Sequence, residues 1–464
     1  MKITDMTPVT SLTGAESIEI VQDGVSKRCT LDQIAAAQPD SNGVYPDVPL
    51  NRVTLKRYSG QTSTTVVVSD NLGMIDAIAA TAYPVLLDRN SEIVAYLNGN
   101  DITKTADGLT ATLNDWLHQC MVRMGGIYYK YYYVASTNEK VFHFSTKKVR
   151  GYKYIRRRFL NMFGGTVEEH DSKLMLLSIA DRYTTQSKTI SQYHTYAKNL
   201  GEHYREIATQ DREVYRYYFW LLEQTFNSQS VLRGICDVSW NDWYSNDDEY
   251  ETEGAHNCPP FHLTGITKTI AGHKGEISIQ HTFVGNGNTA TVKPYKWLWR
   301  ENMLSGPYWI WETGYMKKGG KWYRAKNINT NVSFDPTDTA NWEFVCDECT
   351  VAGYILENYA DTLLPSLTGG SDSTGHADNY WRADDDANAL YIPAGVGDAN
   401  LGSDLGVSVL ASYNVVSSAG PYCGGALASE KSEIARYFGS AFLDIWVDYI
   451  TGNEELAKPA QADE

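Results

Sequence analysis

The 464-residue sequence predicts an α+β protein, with a small β-hairpin and helix first and a larger mixed domain with β-rich insertions after it. Three observations predict this class. The stretch YKWLWRENMLSGPYWIWETG, from Tyr295 to Gly314, alternates aromatics with other residues at Tyr295, Trp297, Trp299, Trp309 and Trp311. That period suits half-buried strands on either side of a turn at Glu301-Asn302. Asp23-Gly24 stands between two alternating runs, a strong short-range hairpin signal. Two segments at helical period, Ser191–Leu200 and Thr209–Phe226, supply the α component. The predicted division is residues 1–40, a terminal module; 41–80, a linker and β-rich stretch; 81–430, the mixed domain with insertions at 237–262 and 315–345; and 431–464, a C-terminal helix and polar tail.

Composition narrows the class of function. A formal net charge of −16 and a pI near 5.1 argue against a non-specific nucleic-acid binder, which presents a basic face. The 32 tyrosines and 12 tryptophans exceed what a core of this size needs, and surplus tyrosine is typical of recognition surfaces. Seven cysteines, scattered and odd in number, do not read as a disulfide framework. There is no N-terminal apolar leader and no apolar run of membrane-spanning length, so a soluble protein without membrane insertion is expected.

The elements follow in order. Ser17–Gln22 and Val25–Cys29 form the hairpin, and Thr30 caps a short helix. Some 30 residues with one hairpin cannot enclose a core, so the unit is either a frayed terminus or a module that docks elsewhere. Pro39–Pro46 reads as a linker and Asn51–Val68 as β. Tyr83–Asn98 reads as a hairpin turning at Asp88–Ser91. GIYYKYYYV, Gly126–Val134, pairs through a turn at Ala135–Lys140 with Val141–Ser145. Its tyrosines either cover a neighbouring subunit or stack within their own sheet. Lys147–Arg158 is basic, read as a salt-bridged surface strand rather than a nucleic-acid site. The helix Thr209–Phe226 sets Val214, Tyr217, Tyr218, Leu221, Leu222 and Thr225 on one face, predicting that this face is core. Asp237–Pro260 is an acidic, aromatic loop. Gly272–Val292 gives strands turning at Gly285–Asn288, and Gly319-Gly320 turns a further hairpin between Tyr315 and Trp322. Ser429–Ile450 has the pattern of an amphipathic helix.

Searches for chemistry return little. Cys346-Asp-Glu-Cys349 is a lone C-x-x-C without the second ligand pair that structural zinc needs. The ten histidines are dispersed, and no nucleophile-elbow, phosphate-loop or zinc-protease motif occurs. Asp384–Asp386 reads as a charged loop ahead of a calcium or acid–base site.

The residues also carry a resemblance. Glu301, Asn302, Gly306, Trp309 and Trp311 fill the pattern E-N-x-x-G-x-x-W-x-W, with one extra residue between Asn302 and Gly306. This resembles the core signature of the C-type-lectin-like fold in its formylglycine-generating-enzyme branch, especially in virion proteins and variable adhesins of gut Bacteroidales phages. Leu364–Trp381, LPSLTGGSDSTGHADNYW, is similar to the family's LPS-x-x-GG segment. The Y-L-N ending of the 83–98 hairpin, the Asp107-Gly108 loop and the tyrosine strand fit as well. Gly402–Ala428 resembles the closing strands, which normally end G-G-R-L, whereas this chain has Ala426 in the arginine's place. The N-terminal run from Leu12 to Ile34 is similar to N-termini of phage tail and fibre proteins.

The resemblance implies a structural protein of a phage virion, at the virion surface, assembled in the host cytoplasm. It implies an attachment module in residues 1–40, with Ile18, Ile20, Val21, Asp23, Gly24, Leu31 and Ile34 as its positions, and a lectin-like domain for host attachment. Expected partners are other virion proteins, copies of itself (a trimer is favoured) and a bacterial surface glycan or protein. The family's ligand-contact segment carries over to Tyr380, Trp381, Arg382, Tyr391, Asp398, Asn400, Ser403, Asp404, Tyr413, Asn414 and Tyr422. Of these, Tyr380 and Trp381 are expected in the core, and Arg382, Asp398, Asn400 and Asn414 on the surface. No catalytic residue, metal or cofactor is expected, since Cys423 lacks the partner thiol that the oxidases use. The alternatives are a purely structural head-fibre or connector protein and, less favoured, a formylglycine-generating-type enzyme.

Overall fold

The computed structural model describes residues 17–22, 25–30, 38–70, 73–235, 238–243, 261–283, 287–329, 333–383 and 386–430. Asp23, Gly24, Leu31 and Ile34, the side chains of Ile18, Ile20 and Val21, most of the 237–260 loop, Asp384 and Asp385, and the helix expected over 429–450 beyond Glu430 lie outside the described residues. What is described is β-rich, 37% strand against 13% helix. At the N-terminus, Ser17–Gln22 pairs antiparallel with Val25–Thr30 in the expected register.

Three sheets and one helix make the body. A five-stranded sheet runs Lys153–Ile155, Ile127–Val134, Glu139–Ser145, Val53–Tyr58, Val67–Asp70. A six-stranded sheet runs Tyr204–Glu206, Leu427–Ser429, Arg158–Asn161, Gln119–Met124, Tyr83–Leu87, Ile93–Tyr96, so strands from both ends of the 81–430 region share one sheet. The third sheet has ten strands and gathers most of residues 309–424.

Three helices matter here: α1, Met74–Ala79; α2, Ile190–Leu200; and α3, Thr209–Glu223. Thr189 caps α2 by accepting from the Gln192 amide, and the Gln192 side chain accepts from the Thr189 amide. In α3, one stripe meets the five-stranded sheet, with Trp220 5.8 Å from the Phe142 ring centroid and nearly perpendicular to it. Tyr215 meets Trp297 in the same geometry at 5.1 Å. Each such pair adds about 0.5–1.5 kcal/mol beyond area burial. The core-face expectation holds for Val214, Tyr217, Tyr218 and Leu221, whereas Leu222 and Thr225 are only half-buried, and Tyr215, Phe219, Arg212 and Arg216 are buried as well. α3 is therefore a central post, enclosed on all sides.

Burial of arginines demands partners. Arg205 forks onto Asp211, whose other neighbour is Arg158 at 3.0 Å. Burial alone would raise the Asp211 carboxyl, but the two guanidiniums outweigh it and hold it at about 2. Arg212 is paired with Glu312, which fastens α3 to the ten-stranded sheet.

One expectation about the aromatic stretch fails. Trp299 is not on a strand: Leu298 and Trp299 have φ of 44° and 57°, forming a two-residue turn between Tyr295–Trp297 and Arg300–Glu301. A two-residue hairpin needs φ > 0 at both central positions, usually filled by Asn-Gly. Leu-Trp gives no such signal. The turn is anchored instead by Trp299 Nε1, which donates to the Gly99 carbonyl at 2.8 Å.

Candidate functional site

The motif residues come together as an internal frame. Glu301 is 2% exposed, and its carboxylate accepts from the Gly265 and Thr267 amides and the Thr267 hydroxyl, at 2.9, 3.0 and 2.7 Å. Asn302 Oδ1 accepts from the Tyr295 amide at 3.1 Å. A Cβ at Gly306 would stand 2.6 Å from Val396 Cγ1 and 2.8 Å from the Asn302 carbonyl oxygen, so only glycine fits without displacement. The strand Trp309–Trp311 pairs with Leu390–Gly395 on one side and Cys423–Gly424 on the other. Trp309 Nε1 donates to Asp398, and Trp311 Nε1 to the Lys188 carbonyl.

The positions expected to contact ligand fall into two clusters around this frame. In the first, Trp381 and Tyr413 set their rings edge-on to Trp309, at 5.4 and 6.3 Å, and Tyr422 packs partly buried against the same core. Asp398 lies here too; burial pushes its carboxyl up to about 7. In the second, buried Tyr380 donates to Glu348 and stands 2.9 Å from Ser412 Oγ. Glu348 also binds Lys317 at 2.7 Å and Arg382 at 3.3 Å, and Lys317 lies over the Tyr391 ring. Asp404 accepts from the Tyr354 hydroxyl, and Ser403 is half-buried beside it.

Exposure differs from expectation. Asp398 and Asn414 are buried, while Arg382 and Asn400 are half-buried. Tyr380 is core as expected, whereas Trp381 is only partly buried. The physical reason is that the central strands Leu390–Gly395 and Leu410–Val415 are buried along most of their length, so polar side chains beside them pair internally. Ala426, in the place where the resembling motif has arginine, is fully buried, and its amide donates to Glu206 Oε1 at 3.0 Å. The second Glu206 oxygen has no hydrogen-bond partner, and burial raises this carboxyl well above its ordinary range. Cys120, Cys346 and Cys349 are free thiols, Cys423 is buried, and no group of three metal-ligating side chains occurs among the described residues.

Two of the cavities that adjoin these strands bear on the site. The more polar, about 550 Å³, is lined by Tyr129, Arg158, Glu213, Arg324, Glu343 and Asp361 among others. Its charges are already matched: Arg324 to Glu343, Arg158 to Asp211, and the Tyr129 hydroxyl donating to Asp361. Glu213, raised by burial to about 7, accepts from Tyr315 and from the Leu363 amide.

The other, about 450 Å³, lies where the first turns of α2 face the hairpin Tyr315–Lys318/Lys321–Ala325 and residues Asn327, Ile328, Ser333, Phe334 and Trp342. One wall holds Phe334 and Trp342, with ring centroids 5.8 Å apart. The other holds Ser191, His194, Thr195 and Thr313. Leu390 and Val416, from the expected ligand segment, close one end. Nothing in the sequence pointed here, because His194 is one of ten dispersed histidines and Trp342 lies in a presumed insertion.

No family model matches the chain, and no curated protein matches it.

Proposed function

We propose that this chain is a structural protein of a bacteriophage particle, displayed as a fibre or appendage, whose C-type-lectin-like domain attaches the particle to a bacterial surface. The observation that supports the reading is the joint role of Glu301, Asn302, Gly306, Trp309 and Trp311. The five residues of the resembling motif form one buried frame in which each polar group has a defined partner and the glycine has a steric reason. Cys423, the thiol on the closing strands, is fully buried, which favours a binding role over oxidase chemistry.

The test is to raise antibodies against the purified chain and probe intact particles of a phage encoding it, alongside adsorption of the purified chain to a panel of Bacteroidales strains. Labelled particles with specific adsorption are expected; absence from purified particles would sink the reading. The purely structural alternative, contact with other virion proteins alone, is favoured by the internal placement of Tyr380, Asp398 and Asn414. It predicts labelled particles without adsorption by the isolated chain.

A further inference from the structure

His194 is 93% shielded from solvent, being 7% exposed, yet its Nε2 has no hydrogen-bond partner. Leaving a buried polar atom without a partner is unfavourable, so its persistence on a cavity wall calls for a reason. Burial, reinforced by Lys198 and Arg205, holds its imidazole down to about 4, so the ring is neutral at physiological pH and offers Nε2 as one donor or acceptor.

The remaining lining defines what complements it. None of the described side chains on the cavity wall is Asp, Glu, Lys or Arg, so an ionic ligand would be desolvated without a counter-charge. Ser191 brings a hydroxyl able to give and accept a hydrogen bond, while the Thr195 and Thr313 hydroxyls, already donating to the Ser191 and Ile207 carbonyls, can accept. Opposite them, the Phe334 and Trp342 rings lie 36° apart, and the Trp342 indole N–H donates to the Ser333 carbonyl at 3.0 Å, which fixes its ring. A volume of about 450 Å³ lies within the range of small-molecule sites. The complement is a small, uncharged molecule with an apolar face and several hydroxyls.

We propose that this cavity binds a neutral sugar unit of a surface glycan, its C–H face against the Phe334 ring, which the buried Trp342 backs, and one hydroxyl on His194 Nε2. The proposal rests on the adhesive reading for the glycan's source and replaces the closing-strand loops as the place of contact. Aromatic rings suit the apolar face of a pyranose, and the neutral imidazole fixes its orientation.

The experiment titrates the purified full chain with glucose, galactose, mannose, fucose and N-acetylglucosamine, and with sialic acid as an anionic control, by calorimetry and tryptophan fluorescence. Saturable binding of at least one neutral sugar, and none of sialic acid, is expected. Thr195→Trp, placed on an exposed helix position at the cavity mouth, should abolish it. His194→Phe should weaken it by about tenfold, the scale of one lost hydrogen bond, with His194→Gln partly restoring it. Melting temperatures identify any variant that merely unfolds, and Asn327→Trp, at an exposed position on the opposite wall, then serves as the second blocking variant.

No saturable neutral sugar, or wild-type binding by folded Thr195→Trp and Asn327→Trp, overturns the proposal. The parallel adsorption assay separates the two readings. Cell adsorption that survives both blocking variants leaves the adhesive reading standing and removes this cavity from it. Sugar binding without adsorption to any strain removes the adhesive reading and leaves the cavity.

Discussion

Asp398 shows how a polar residue in a recognition-like segment can serve the interior. One of its oxygens accepts from Trp309 Nε1, and burial lifts its carboxyl to about 7. A carboxyl raised above its unfolded value of 3.8 adds stability at low pH, fully present below about 4 and lost as pH rises through 7. At about 1.4 kcal/mol per unit the loss is at most about 4 kcal/mol, and relaxation reduces it. Asp398→Asn keeps an acceptor for the indole and removes the titration. Denaturant melts at pH 5 and pH 8 should show the wild type losing stability relative to this variant at pH 8; parallel behaviour at both pH values would refute the assignment. His143 works in the opposite sense. Burial and Arg52 depress its imidazole to about 4, so its contribution is present above 6.5 and is lost as pH falls through 4. Comparing variant with parent, not reading one pH curve, isolates each residue. In the sequence, Asp398 and Asn400 looked like surface hydrogen-bonding groups because residue type reports polarity and not which sheet faces are covered.

At the scale of elements, turns with a chemical signature were legible and turns without one were not. Gly319-Gly320 and the Asp88–Ser91 bend lie where glycine and Asx side chains predict, with Asp88 Oδ1 accepting from the Asn90 and Glu92 amides. Leu298-Trp299 carries no such mark, since its positive φ values are held by tertiary contacts. The α3 face was legible for its apolar stripe, but the buried Arg212 and Arg216 were not, because charge at helical period ordinarily means solvent. The frame around Gly306 gives a sharp test. Gly306→Ala drives a Cβ into Val396 and the Asn302 carbonyl, so it should cost about 1–3 kcal/mol, read as a lower denaturant midpoint with unchanged slope. An unchanged midpoint would mean the frame yields there. The 40–52 segment is an element in the same sense. Asp47 accepts from Arg52, Tyr152 and Lys130, fastening that segment across the tyrosine-rich sheet. Asp47→Ala should accelerate tryptic cleavage after Arg52 while the rest of the chain stays protected.

For the whole molecule, the sequence placed a boundary near residue 40, and the backbone locates where the body begins to hold the chain. The Tyr45 amide donates to the Lys148 carbonyl at 2.7 Å, and the Arg150 amide donates to the Tyr45 carbonyl at 2.9 Å. Pro46 and Asp47 then receive side-chain hydrogen bonds from the sheet and its neighbours. Upstream, Asp40 accepts from the nearby Asn42, Gly43 and Val44 amides, which closes a local turn. These bonds predict that the body's hold on the chain begins between Asp40 and Tyr45. A chain starting at Asp40 should melt cooperatively at the full-length temperature, and one starting at Val53 should melt several degrees lower, having lost the Asp47 contacts. If the proposed virion role is right, the chain starting at Asp40 should also be missing from assembled particles while remaining folded and able to bind sugar. Incorporation of that shortened chain would show that the first 39 residues are not the attachment module, and unfolding of it would move the boundary upstream.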